Sequence, residues 1–156
     1  MNTYEKLLDT AAKEDIYVIE KALFSSHSLG LINGDVIGLN TELKTDTERA
    51  CILAEELGHY YTSSGDIIDQ DYTMNRKQEH HARMWAYDML LPLPLFILAF
   101  KHGCQSVHET ADFLEVSEEF LRECVKAYYD KYGPFLKYND YLFIFSENGL
   151  NISKAI

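Results

Sequence analysis

The chain has little of several features that mark particular protein classes. Its three cysteines have no C-x-x-C spacing and are odd in number, which argues against a disulfide framework and a cysteine-based zinc site. No apolar run approaches the roughly twenty residues that cross a bilayer. No opening segment combines a basic start, an apolar run and a small-residue cleavage site. These absences predict a cytoplasmic protein with reduced thiols and no membrane span.

Basic residues are also scarce, with 14 lysines and arginines against 25 acidic residues and a net charge of −11. Such a surface repels phosphate backbones, so direct nucleic-acid binding is not expected, and protein partners are favoured. Repeats, low-complexity tracts and linker-like stretches are absent too. Because 156 residues can bury one sizeable core but hardly two, we predict a single domain over residues 1–156.

The N-terminal third has the pattern of a helix followed by strands. Tyr4, Leu7, Leu8 and Ala11 recur at helical spacing, and a β-rich run begins at residue 16. Segments 29–32 and 36–40 then flank Asn33-Gly34, a dipeptide typical of tight hairpin turns.

The rest of the chain is predicted to be mainly helical. We expect a central helix over 50–62, capped from 45–48, and then a polar loop to about residue 73. A second helix over 75–91 should end at Pro92 and Pro94, with helical turns over 95–101. A helix pair over 107–114 and 117–132 and an extended pair within 135–145 should follow. The predicted class is α+β, with a small N-terminal sheet or hairpin and a C-terminal helix pair.

The central helix contains Glu55-Glu56-Leu57-Gly58-His59, one residue away from the zinc-binding pattern H-E-x-x-H. In that pattern the first and last residues lie about 40° apart around the helix, so both can bind one metal while the glutamate between them activates water. Here Glu55 takes the first position, Glu56 that of the base and His59 the last. Alone, E-E-x-x-H is more often a solvated helix face, but apolar neighbours such as Leu53 indicate a half-buried helix.

A second segment makes the pattern specific. Glu79-x-x-Ala82-x-x-Trp85-Ala86-x-x-Met89-Leu90-Leu91-Pro92 follows on the next predicted helix. Together the two segments resemble the ImmA/IrrE family of metallo-endopeptidases, whose pattern reads H-E-L-G-H, then E-x-x-A-x-x-F-A-x-x-L-L-M-P. The order of predicted elements also matches, and the resemblance covers roughly residues 16–132.

The resemblance implies a zincin-like fold and a metal-dependent endopeptidase. It makes Glu56 the general base, His59 a metal ligand and Glu79 the carboxylate ligand from the following helix, with Glu55 on the position of the first ligand, a histidine in the family. Carboxylate oxygen can bind zinc, but two carboxylates make the site more negative. The resemblance implies Zn²⁺ as the cofactor, and the carboxylate-rich ligand set makes Mn²⁺ a stronger competitor than usual.

Two other histidines leave the ligand set open. His80 and His81 adjoin Glu79, and either could replace the missing imidazole if the helix were rotated. They point about 100° apart, so at most one could face the metal beside Glu79. His27, His102 and His108 lack ligand spacing and are interpreted as structural or exposed. Tyr60, Tyr61 and Tyr87 could donate a phenolic hydrogen bond, but core packing is the favoured role.

Three functions compete at this point. The resemblance implies cleavage of a helix-turn-helix repressor of a phage or mobile element. The substitution at Glu55 instead supports a module that binds a repressor or other regulator without cleaving it. A third interpretation, direct DNA binding, rests on a helix-turn-helix-like element at about 106–132. Its second helix carries Glu118, Glu119 and Glu123, which are unfavourable in a phosphate-lined groove.

Overall fold

The computed structural model describes residues 1–25, 27–63, 72–147 and 149–155, without the side chains of residues 72–74. The chain divides into two units, Met1–Leu90 and Leu91–Ile156. The predicted polar loop that follows the central helix lies almost wholly outside the described residues. The single domain stays a prediction.

The first unit has three helices and three strands among its described residues. They are α1 (Thr3–Lys13), β1 (Tyr17–Ala22), β2 (Gly30–Asn33), β3 (Val36–Asn40), α2 (Asp46–Thr62) and α3 (Tyr72–Leu90). Helix α1 begins at a capping box, in which the Asn2 side chain accepts a hydrogen bond from the Glu5 backbone and Glu5 reciprocates. Its apolar stripe, Tyr4, Leu7 and Ala11, is buried, as the sequence spacing predicts.

The three strands form one mixed sheet in the order β1-β3-β2. Strand β3 pairs parallel to β1 and antiparallel to β2. Ile37 and Leu39 of β3 are fully buried, and they lie opposite Ile32 and Gly30 of β2. Glycine 30 therefore belongs to the face of the sheet that packs on helix α2, next to the side chains described below.

The predicted hairpin is confirmed, but its turn is shifted by one residue. Asn33 pairs with Val36 as the last residue of β2, so Gly34 and Asp35 form the turn. Gly34 has φ 63°, which a glycine adopts without steric cost. A glycine at the first turn position is the pattern of a type II′ hairpin, so Asn33 does not need positive φ.

The second unit contains the remaining elements. They are α4 (Leu93–His102), α5 (Val107–Leu114), α6 (Glu118–Tyr132), β4 (Phe135–Tyr138), β5 (Tyr141–Ser146) and β6 (Gly149–Lys154). The strands form an antiparallel sheet in the order β4-β5-β6. The hydroxyl of buried Tyr128 donates to the carbonyl of Leu91 at 2.9 Å, which fixes α6 against the start of the unit.

The sequence-based prediction of an α+β chain, mainly helical, is confirmed. Helix α2 begins four residues earlier than predicted because Thr45 caps it by accepting a hydrogen bond from the Glu48 backbone. Ser117 caps α6 as expected, and strand β6 adds to the predicted extended pair. No single described helix is long and apolar enough to cross a membrane.

Candidate metal centre and general base

Helix α2 carries Glu55, Glu56 and His59 between buried residues. Leu53, Ala54, Leu57 and Gly58 are all buried, so one side of the helix lies in the core of the first unit. Glu55, Glu56 and His59 are half-buried. The chemistry-bearing residues therefore lie at the border between core and surface, as predicted from the apolar neighbours of the motif.

Glu56 lies against strand β2 at Gly30. A Cβ on Gly30 would be 3.0 Å from the Glu56 Oε1 atom and 2.6 Å from Ile52, so the missing side chain makes room for the carboxyl group. Burial first, and then the charges of Glu55 and Glu79, raise the pKa of Glu56 from 4.5 to about 7. Nothing in the sequence pairs Gly30 with Glu56, since only the packing of β2 on α2 brings them together.

Gly58 and Ala82 set the crossing of α2 and α3. A Cβ on Gly58 would overlap the carbonyl oxygen of Ala82, and Ala82 is itself fully buried. Small residues at a crossing let two helix backbones approach closely. This contact gives a physical reason for the glycine and the alanine in the two sequence segments, and it brings the residues beside them together.

Beside that crossing, His59 meets Glu79. The His59 Nε2 atom is 3.3 Å from the Glu79 Oε1 atom. The Glu79 carboxylate is thus directed towards His59 across the helix pair, although 54% of its side chain is exposed. His59 and Glu79 come together as predicted, while their role as ligands stays a prediction.

The His59–Glu79 pair fits part of a divalent-metal site. Imidazole nitrogen and carboxylate oxygen both bind zinc, and two ligand atoms on one tetrahedral zinc ion lie about 3.4 Å apart. The observed 3.3 Å matches that spacing. Within residues 1–25, 27–63, 72–147 and 149–155, however, no three His, Cys, Asp or Glu side chains are grouped to hold one ion. Glu55 as a third ligand stays a prediction.

Within the described part of the chain, the remaining histidines do not add a third metal ligand to the His59–Glu79 pair. His80 and His81 are exposed and have their rings 6.2 Å apart. His27 is exposed, and His102 stacks on Phe113. His108 lies in the second unit beside Asp112 and Glu118. These positions agree with the interpretation of the last three as structural or exposed.

The aromatic residues near the motif either pack on one another or are buried. Tyr61 stacks on Trp85 with ring centroids 4.9 Å apart, and Tyr60 meets Tyr61 edge to face. The Tyr61 hydroxyl also donates to Glu14, and burial together with that carboxylate raises the pKa of Tyr61. Tyr87 is buried. Core packing therefore accounts for Tyr87, whereas Tyr61 is 39% exposed and packs on Trp85 outside the core.

A family model matches most of the chain. The family model Peptidase_M78, described as IrrE N-terminal-like domain, matches residues 11–126. The matched range contains α2, α3 and the His59–Glu79 pair. No curated protein and no solved structure gives a match.

The described residues form a mixed α+β chain in which half-buried Glu56 lies on the same helix as His59 of the His59–Glu79 pair. The chain belongs to the Peptidase_M78 family, whose model covers most of its length. This confirms the resemblance to ImmA/IrrE proteins. The family suggests a peptidase that uses a divalent metal, typically zinc.

Proposed function

We propose that the protein is a metal-dependent endopeptidase of zincin-like fold. Glu56 is its general base, and His59 and Glu79 are metal ligands with Glu55 as the third. The observation that carries the proposal is the placement of Glu56 beside the His59–Glu79 pair, whose ligand atoms are 3.3 Å apart. Bound zinc supplies Lewis acidity towards water and the peptide carbonyl, and Mn²⁺ can compete in a carboxylate-rich site.

Glu56 has the properties of a base that works near neutral pH. A general base is most effective when its pKa lies close to the operating pH, and the pKa of Glu56 is raised to about 7. Its carboxyl group is held between α2 and Gly30 of β2, which restricts its movement. In the proposed reaction Glu56 accepts a proton from the attacking water and passes it to the leaving amine.

Strand β2 supports a peptide as the substrate. Among the described residues β2 pairs only with β3, so its other edge can add an extended peptide through main-chain hydrogen bonds. Gly30, the first residue of that strand, contacts Glu56. A peptide bound along β2 would therefore lie next to Glu56, the proposed general base.

The substrate proposed from the family resemblance is a helix-turn-helix repressor of a phage or mobile element in the cytoplasm. The net charge of −11 favours a basic partner such as a DNA-binding protein. The alternative is a module that binds the repressor or other regulator without cleaving it. It draws support from Glu55, where the family has histidine, and from the absence of a three-ligand group among the described residues.

The substitution Glu56→Gln tests the proposal. The amide keeps the shape of the side chain but cannot accept a proton from water, so cleavage should be lost while zinc content and fold are kept. The assay incubates the parent and the variant with a repressor encoded beside the protein and follows products by mass spectrometry.

The matched control is Glu123→Gln on an exposed position of α6, which should cleave at the parental rate. Cleavage by Glu56→Gln at that rate would show that Glu56 is not the base. Release of the repressor from DNA by the parent, without any product, would favour the binding module.

A further inference from the structure

The second unit contains a cavity that lies wholly outside the candidate metal centre. Its volume is about 460 Å³, and it is lined by α4, the segment 104–106, α5, α6, Glu147 and β6. Ligand pockets usually measure about 300–1,000 Å³. It is open to solvent on one side, so a small molecule could enter it.

The floor of the cavity is apolar. Phe96, Leu121 and Val125 are buried there, and Phe100 and Ile152 complete it. Burial of apolar ligand surface against such a floor is favourable in proportion to the area removed from water. The floor therefore fits a short hydrocarbon or aryl group.

The lining of the cavity has one basic side chain, Arg122, and one acidic side chain, Glu147, and both are exposed. On the acidic helix α6 its expected partner one turn earlier, Glu118, is already bonded to His108 at 2.9 Å. Within the described part of the chain Arg122 has neither a hydrogen bond nor an ion pair. A guanidinium without a partner at the mouth of an apolar cavity matches the planar, paired oxygens of a carboxylate.

We propose that this cavity binds a small amphipathic carboxylic acid, with its carboxylate on Arg122 and its apolar part against Phe96, Phe100 and Val125. The lining also contains the uncharged polar residues Gln105, Thr110 and Asn151. This site does not depend on the peptidase proposal, because none of its residues belongs to the metal centre.

Octanoate is a suitable probe, with 1-octanol as its uncharged counterpart and acetate as the head group alone. Binding is measured by NMR titration of backbone amides, which also locates the site. Octanoate should bind with one-to-one stoichiometry and shift the amides of lining residues such as Ala99, Thr110 and Leu150. Arg122→Gln should weaken octanoate at least tenfold, since a charge-assisted hydrogen bond is lost. The same variant should leave 1-octanol unchanged.

Lys126→Gln is the matched control, because Lys126 is exposed one turn further along α6 and does not line the cavity. It removes the same charge and should change octanoate affinity less than twofold. Three results would each overturn the proposal: no shift of the lining amides by octanoate, an equal loss in Lys126→Gln and Arg122→Gln, or acetate binding as tightly as octanoate. Circular dichroism checks that both variants are folded.

Discussion

The family resemblance aligns Glu55, one helical turn before His59, with the position at which the family pattern has a histidine. Its negative charge contributes to the raised pKa of Glu56, so it already acts on the candidate base without any metal. A carboxylate here makes the site more negative than an imidazole would. In the proposed site this would favour harder ions over zinc, the borderline-soft ion for which nitrogen ligands are better suited.

If Glu55 is a ligand, Glu55→His should raise zinc affinity, by about tenfold or more, and lower the preference for manganese. Glu55→Ala should weaken both metals. Calorimetric titration of Zn²⁺ and Mn²⁺ into the parent and the two variants measures these changes. Equal affinities for both metals in all three proteins would show that Glu55 is not a ligand and would favour the non-cleaving binding module.

At the scale of elements, the crossing of α2 and α3 holds His59 near Glu79. Helix propensity alone predicts that Gly58→Ala stabilises α2 by about 1 kcal/mol. The overlap of the new Cβ with the Ala82 carbonyl oxygen opposes this, because overpacking a tight contact costs about 1–3 kcal/mol. The backbone contact cannot be relieved by a side-chain rotation, so the steric cost should win.

We therefore expect Gly58→Ala to be less stable than the parent and to bind zinc at least tenfold more weakly, as α3 moves away from His59. Urea denaturation and zinc titration measure the two effects. Gly149→Ala is the control, since the nearest atom to its Cβ would be the Ser146 Oγ at 3.9 Å. A Gly58→Ala variant with parental zinc affinity would show that the crossing does not position the pair.

Local sequence signals predicted the elements well, and packing explains what they missed. Caps such as Ser117 and the apolar stripe of α1 depend on neighbours in sequence, so they are visible there. The family resemblance placed Glu79 opposite His59, and the structure brings them to 3.3 Å. The contact of Gly30 with Glu56 and the cavity at Arg122 involve elements far apart in the chain, and no spacing rule predicts them.

At the scale of the whole molecule, Glu56 links the candidate site to stability. Its pKa is 4.5 in an unfolded chain and about 7 in the folded protein, chiefly through burial. Between about pH 4.5 and 7 the folded state therefore holds a proton that the unfolded state has released. The free energy of unfolding then decreases as pH rises through this range, by about 3 kcal/mol at most, and stays lower above it.

Glu56→Gln should remove this dependence, because glutamine does not titrate. In metal-free protein the variant should be more stable than the parent at about pH 8, by up to about 3 kcal/mol, and nearly equal to it at about pH 4.5. Trp85 is the only tryptophan, and it stacks on Tyr61 in the same unit as Glu56. Its fluorescence during urea denaturation, with a chelator present, therefore reports the unfolding of the unit that contains Glu56. Glu123→Gln should retain the parental pH dependence. If the parent and Glu56→Gln instead lost stability equally between the two pH values, Glu56 would not contribute to the pH dependence. Its carboxyl group would then be charged in the folded protein at neutral pH, and burial would not raise its pKa.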